Sequence, residues 1–113
     1  MQIVEISMIE RSGRTLTAIS LLKGFRDSGV NAVLMATDEH RKELIERFDI
    51  PRSWFIGLNP YSLIANHTLI IDDFEYVEAI WNRGSASEGL LRSLIGSTHV
   101  CSSNATAFIF SEH

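Results

Sequence analysis

Apolar runs alternate with amphipathic stretches along the first half of the chain. A short apolar run predicts a strand, and apolar residues at helical spacing predict a helix. The run over 31–36 is almost continuously apolar, which is typical of a strand covered on both faces of a sheet. In chain order the predicted elements are a strand over about 2–9, a helix over 16–28, a strand over 31–36, and a helix over 39–48 that Thr37 and Asp38 cap.

The second half of the chain continues the same alternation. Residues 54–56 predict a short edge strand, and residues 68–71 predict a full strand followed by two aspartates. The remaining predictions are a helix over 75–81, interrupted at Gly84 and Ser85 and continued over 87–95, then a strand over 98–101, and finally a strand or packed tail over 105–110.

Strands that alternate with helices predict an α/β fold, a single three-layer domain over 1–113 with a mainly parallel sheet. A chain of 113 residues with 45% hydrophobic content can bury such a core. We expect the first strand to be central and to neighbour the strand over 68–71. The loops that follow these two strands would then face one site.

Composition and charge narrow the class of protein. The net charge of −4 gives no strong indication that the protein binds nucleic acid. The single cysteine, Cys101, cannot form an intrachain disulfide. No run reaches the roughly 18 apolar residues of a membrane helix, and Glu5 and Glu10 interrupt any signal-peptide pattern. We therefore expect a cytoplasmic protein without a membrane partner.

Polar residues follow each predicted full strand. Ligands of an open parallel sheet bind outside the carboxyl ends of its strands, so these residues predict a shared site. They are residues 11–15, Thr37 and Asp38, Asp72 and Asp73, and 102–104.

The turn Ser12-Gly13-Arg14-Thr15 is the most informative of these segments. It lies between a predicted strand and the start of a predicted helix. Free backbone N–H groups and the helix dipole favour an anion at such a position. We expect a phosphate group against the N–H groups of Gly13 to Thr15, near the Arg14 side chain.

Residues 8–15 resemble the first motif of the P-loop NTPases, G-x-x-x-x-G-K-[ST]. Gly13 and Thr15 match the second glycine and the hydroxyl residue. Met8 replaces the first glycine and Arg14 replaces the lysine. The segment therefore resembles a degenerate Walker A motif.

The second motif of the family is an apolar strand that ends in an acidic residue, and residues 69–73 resemble it. Ser103 or Asn104 falls where many members place a polar sensor. The resemblance implies Mg²⁺ with ATP or GTP, and Asp73 as the catalytic residue that positions water. It further implies that Thr15 and Asp72 hold the metal and that the nucleotide is bound by Ser12, Gly13, Arg14, Thr15, Asp72 and Asn104.

Two departures from the motif predict weak or absent hydrolysis. Met8 has a side chain where the loop must approach phosphate closely, and arginine is planar and forked where lysine is a compact charge. Whether the chain is an enzyme stays open. A homodimer could supply Arg83 or Arg92 as the missing cation. Without an arginine from a second copy, no evident positive charge would stabilise the phosphoryl group during its transfer.

Other interpretations of these motifs remain. Gly13 and Thr15 could form a plain turn and helix cap, Asp72 and Asp73 could only cap a helix, and the PP-loop motif is a poorer match. The alternative function is a non-catalytic module, of phage or mobile-element type, that binds and modulates a host protein. His40 lies in a charged stretch and is expected to be solvated.

Overall fold

The structure is a computed structural model. It describes residues 2–8, 13–58, 68–84, 91, 95 and 106–111. The predicted α/β class is confirmed: five parallel strands of the described residues form one sheet, with helices on both faces. The strands are β1 (Gln2–Ser7), β2 (Ala32–Met35), β3 (Phe55–Ile56), β4 (Thr68–Ile71) and β5 (Thr106–Ser111). The helices are α1 (Arg14–Asp27), α2 (Asp38–Phe48) and α3 (Phe74–Gly84), and a 3₁₀ turn covers Arg52–Trp54.

The predicted elements agree closely with those observed wherever the structure describes the chain. α1 begins two residues before the predicted start. Thr37 caps α2, its hydroxyl oxygen accepting a hydrogen bond from the His40 N–H at 3.3 Å. The predicted tail over 105–110 is β5. The predicted strand over 98–101 lies outside the described residues, as does the predicted helix over 87–95 except for Leu91 and Ile95, which are helical.

The strand order is β1-β5-β4-β2-β3, and every pair is parallel. The prediction that the first strand is central and next to Thr68–Ile71 is therefore wrong, because β5 lies between them. Polar residues interrupt β1, and Gln2, Glu5 and Ser7 are exposed. Such a strand suits a sheet edge, whereas a central parallel strand must be apolar on both faces.

Two apolar layers cover the sheet. α1 and α2 pack on one face through Ala18, Ile19, Leu22 and Leu44. α3 packs on the opposite face, where Phe74, Val77 and Trp81 are buried against Met35 and Ile71 of the sheet among others. None of the described helices has the length and apolar character needed to cross a membrane.

β2 and β4 are neighbours in the sheet, but the helical connections that follow them run towards opposite edges of the sheet. β2 leads through α2 to β3 on one side, and β4 leads through α3 towards β5 on the other. Because α2 and α3 lie on opposite faces, the two helices diverge and leave a crevice outside the carboxyl ends of these strands. Open α/β sheets bind ligands at this kind of topological switch point.

Candidate functional site

α1 begins with an uncapped N-terminus. Gly13 precedes it with φ +86°, a left-handed conformation that glycine adopts without strain. No side chain in the described part of the chain caps this end, and the first turn holds no acidic residue. α2, in contrast, has the Thr37 cap and two acidic residues in its first turn. The start of α1 is therefore the better place for an anion.

The side chain of Thr15 contacts Asp72, the aspartate that directly follows β4. The Thr15 hydroxyl donates a hydrogen bond to Asp72 Oδ2 at 2.8 Å, and Asp72 is only 1% exposed. β5 separates β1 from β4, so their axes lie about 10 Å apart by ordinary strand spacing. The contact forms because α1 crosses over the sheet from the end of β1. The loop and the carboxylates meet even though their strands are not neighbours.

The Arg14 guanidinium lies between two carboxylates. Its Nε is 3.5 Å from Asp72 Oδ1, and its Nη2 is 3.6 Å from Asp73 Oδ1. The Arg14 side chain is 11% exposed, whereas Asp73 is 41% exposed. These distances allow charge attraction but are too long for strong hydrogen bonds.

Among the residues that the structure describes, three buried polar atoms at this place have no hydrogen-bond partner, namely Arg14 Nε, Arg14 Nη1 and Asp72 Oδ1. Buried polar groups in folded proteins are nearly always hydrogen-bonded, because an unpaired one costs roughly 1–3 kcal/mol. Arg14 Nε and Asp72 Oδ1 lie 3.5 Å apart and attract each other as an ion pair, but they do not form a hydrogen bond, and Arg14 Nη1 is a further donor without a partner among the described residues. A ligand with oxygen atoms could use the donors, and a cation could use the acceptor.

The same residues fit Mg²⁺ chemistry. Magnesium in phosphate-binding proteins is held by one or two carboxylates together with substrate phosphates and water. Thr15 Oγ1 and Asp72 Oδ2 lie 2.8 Å apart, and both are oxygen atoms that could serve as ligands of such a metal. Among the described residues no group of three or more His, Cys, Asp or Glu side chains could hold a metal alone. The donor set suits a metal that shares its ligands with a phosphate.

One contact of this site was not expected from the sequence. The His40 side chain is 22% exposed, and its Nε2 lies 3.9 Å from Asp72 Oδ2. Ser111 is buried at the carboxyl end of β5, in register with Ser7 of β1. The signal for His40 was its position in the first turn of a helix that follows a buried strand.

The other residues predicted for the site either lie away from the Arg14–Asp72 contact or fall outside the part of the chain that the structure describes. Met8 is partly buried against the α1 face of the sheet, and its N–H donates to the Ser111 carbonyl oxygen at 2.9 Å. The backbone of Met8 thus prolongs the β1–β5 pairing, and the partial burial of its side chain explains an apolar residue at that position. Ser12, Arg92, Ser103 and Asn104 lie outside the described residues.

Compared with known protein families, with curated proteins and with solved structures, the chain shows no significant match. The likeness of its two motifs to the P-loop NTPases therefore stays a resemblance. The case for a function depends on the geometry of Arg14, Thr15, Asp72 and Asp73.

Proposed function

We propose that this protein binds a magnesium-complexed phosphate group, such as that of ATP or GTP, at the start of α1. The observation that carries the proposal is the buried cluster of Arg14, Thr15 and Asp72, in which three polar atoms have no hydrogen-bond partner among the described residues. The cluster adjoins an uncapped helix N-terminus, where backbone N–H groups favour phosphate oxygens.

The charges favour a metal–phosphate complex over a bare phosphate. Arg14 supplies one positive charge against the two negative charges of Asp72 and Asp73. A phosphate alone would meet a net negative cluster and be repelled. With Mg²⁺ on Thr15 and Asp72 the cluster becomes net positive, so the metal and the phosphate should bind together.

We propose further that hydrolysis is slow or absent. Phosphoryl transfer is accelerated almost entirely by positioned charge. In this chain the arginine that replaces the motif lysine faces the carboxylates of Asp72 and Asp73. Arg83 is exposed at the end of α3, where its Nε donates to the Ala79 carbonyl oxygen, so it would serve only a neighbouring copy.

Ligand-induced stabilisation tests the binding proposal. We expect Mg-ATP or Mg-GTP at about 100 times its Kd to raise the free energy of unfolding by about 2.7 kcal/mol. Thr15→Val should lose most of this gain, because the metal loses an oxygen ligand. The measurement is thermal unfolding with each nucleotide, with and without Mg²⁺.

Thr17→Val is the matched control, because Thr17 lies on the same turn of α1 but is exposed and bonds only the Gly13 carbonyl oxygen. Its nucleotide-dependent stabilisation should equal that of the native chain. Stabilisation that does not require Mg²⁺, or that survives Thr15→Val in full, would place the ligand elsewhere.

Phosphate release tests the proposal of slow hydrolysis. At micromolar protein with saturating Mg-ATP or Mg-GTP we expect turnover well below about 1 per second, the low end of ordinary enzyme rates. Asp73→Asn should abolish whatever turnover remains, because the carboxylate would position the attacking water. Turnover at or above about 1 per second that Asp73→Asn removes would show that Arg14 replaces lysine competently.

The second candidate function is protein binding without phosphate chemistry. One observation favours it: Val4 on the edge strand β1 and Leu16 on α1 are 40% and 59% exposed. Edge strands and exposed apolar side chains are common elements of protein interfaces. For this function we expect no stabilisation by Mg-ATP, Mg-GTP or Mg²⁺ with inorganic phosphate.

A further inference from the structure

Arg14 contacts the two aspartates of the site through charge alone. Its Nε lies 3.5 Å from Asp72 Oδ1 and its Nη2 lies 3.6 Å from Asp73 Oδ1, whereas a hydrogen bond between charged groups spans roughly 2.7–2.9 Å. Neither Nε nor Nη1 has a hydrogen-bond partner among the described residues. The guanidinium would therefore lose no hydrogen bond from Nε or Nη1 if it turned to a better acceptor.

The carboxylate that Arg14 faces is the one that a metal would need. Asp72 is 1% exposed, and it presents Oδ1 to Arg14 and Oδ2 to the Thr15 hydroxyl. A Mg²⁺ ion bound to Asp72 and Thr15 would lie close to the guanidinium charge, at a place where little water screens the repulsion. Arg14 and the metal therefore compete for Asp72.

A phosphate group offers Arg14 a better partner. Arginine binds phosphate oxygens through charge-assisted hydrogen bonds, often two at once. Arg14 is the first residue of α1, whose N-terminus has no side-chain cap and no acidic residue in its first turn. A phosphate at this helix start would have the Arg14 side chain as its neighbour, and Nε and Nη1 are donors that it could use.

We propose that Arg14 couples the binding of the metal to that of the phosphate. While its guanidinium lies against Asp72 and Asp73, it keeps Mg²⁺ alone from Asp72. When a phosphate binds, the guanidinium turns to the phosphate oxygens and leaves Asp72 to the metal. The inference rests on the proposed function, because it concerns how metal binding at that same site is regulated.

The charges give the direction of the effect. Arg14 leaves the two aspartates with one uncompensated negative charge, and a neutral residue in its place leaves them with two. Mg²⁺ alone should therefore bind more tightly to a neutral variant than to the native chain. The loss of an ordinary ligand-binding residue has the opposite result, so a gain in affinity is specific to the coupling.

Titration of Mg²⁺ without phosphate tests the exclusion of the metal. The native chain and Arg14→Gln are each titrated by NMR, following the backbone amides of Thr15 and Asp73. We expect Arg14→Gln to bind Mg²⁺ at least about tenfold more tightly, because glutamine removes the positive charge that faces Asp72. Arg14→Lys keeps a positive charge, so its Mg²⁺ affinity should stay within about threefold of the native value.

Arg47→Gln is the matched control. It removes the same charge, but Arg47 lies in the last turn of α2 and pairs with Glu43 at 3.5 Å in a contact that is 59% exposed on both sides. Its Mg²⁺ affinity should stay within about twofold of the native value, since salt screens exposed charges. A gain in Arg47→Gln equal to that in Arg14→Gln would reduce the effect to the net charge of the protein and overturn the proposal.

A second measurement uses the native chain and does not depend on the folding of a variant. The N–H group at Arg14 Nε has its own NMR resonance, which is sensitive to what the guanidinium contacts. We expect this resonance to shift when Mg²⁺ is added with inorganic phosphate, and to keep its position at the same concentration of Mg²⁺ alone. Phosphate should tighten Mg²⁺ binding at least about tenfold, and Mg²⁺ should tighten phosphate binding by the same factor. A resonance that moves equally under both conditions would overturn the proposal.

The coupling and the proposed function can fail separately. Saturable binding of Mg²⁺ with phosphate to the native chain, without a gain of Mg²⁺ affinity in Arg14→Gln, would overturn the coupling and leave the proposed function standing. If Mg²⁺ with inorganic phosphate, ATP or GTP leaves the native amides of Thr15 and Asp73 unchanged, the proposed function is wrong and the coupling is wrong with it.

Discussion

Replacing Arg14 with alanine is expected to lower the free energy of unfolding by about 3–5 kcal/mol, because it leaves a buried carboxylate without its cation. Asp72 is 1% exposed and the Arg14 side chain is 11% exposed, so water cannot screen the charge that remains. The measurement is urea denaturation of the variant beside the native chain.

A second substitution separates charge from packing. Adding Asp72→Asn to Arg14→Ala should recover a large part of the lost stability, since neither buried charge then remains. Arg47→Ala is the matched control, because the Arg47–Glu43 pair is 59% exposed at both ends. We expect that control to cost no more than about 0.5 kcal/mol. An Arg14→Ala cost equally small would show that Arg14 does not balance Asp72.

The second large effect is expected in the core beneath α3. Trp81 is 1% exposed and is the largest fully buried side chain of the described residues. Trp81→Ala should cost about 3–5 kcal/mol, because it removes a large apolar surface and leaves a cavity against the sheet. Urea denaturation should show a lower midpoint for this variant.

Tyr76 offers the comparison on the same helix. It is 47% exposed, so Tyr76→Ala should change stability by only about 0.5 kcal/mol. A Trp81→Ala cost below about 1 kcal/mol would mean that the α3 face closes over the missing ring or contributes little to the core.

The elements of the fold could be predicted from the sequence because their local patterns are strong. The buried strand Ala32–Met35 is continuously apolar, and Thr37 caps α2 as its position indicates. Strand order could not be predicted in the same way, since periodicity shows that a strand exists but not which strand lies beside it. Glu5, in the middle of β1, was the signal that β1 is an edge strand.

Part of the candidate site could also be predicted from the sequence. Residues after parallel strands share one edge of a sheet, so the approach of Thr15 to Asp72 was expected. The contacts of Arg14 with both aspartates and of His40 with Asp72 were not. They depend on how α1 and α2 are rotated on the sheet, and the spacing of residues along one helix does not determine that rotation.

The position of β5 bears on how the protein is made. β5 pairs with β1 on one side, where Gln2 lies opposite Thr106, and with β4 on the other. During synthesis β1 leaves the ribosome first, yet its sheet partner is made about a hundred residues later. Closing so long a loop makes parallel pairing slow. The nascent chain therefore carries β1 without its native partner until β5 emerges, and an unpaired strand edge favours aggregation during that interval.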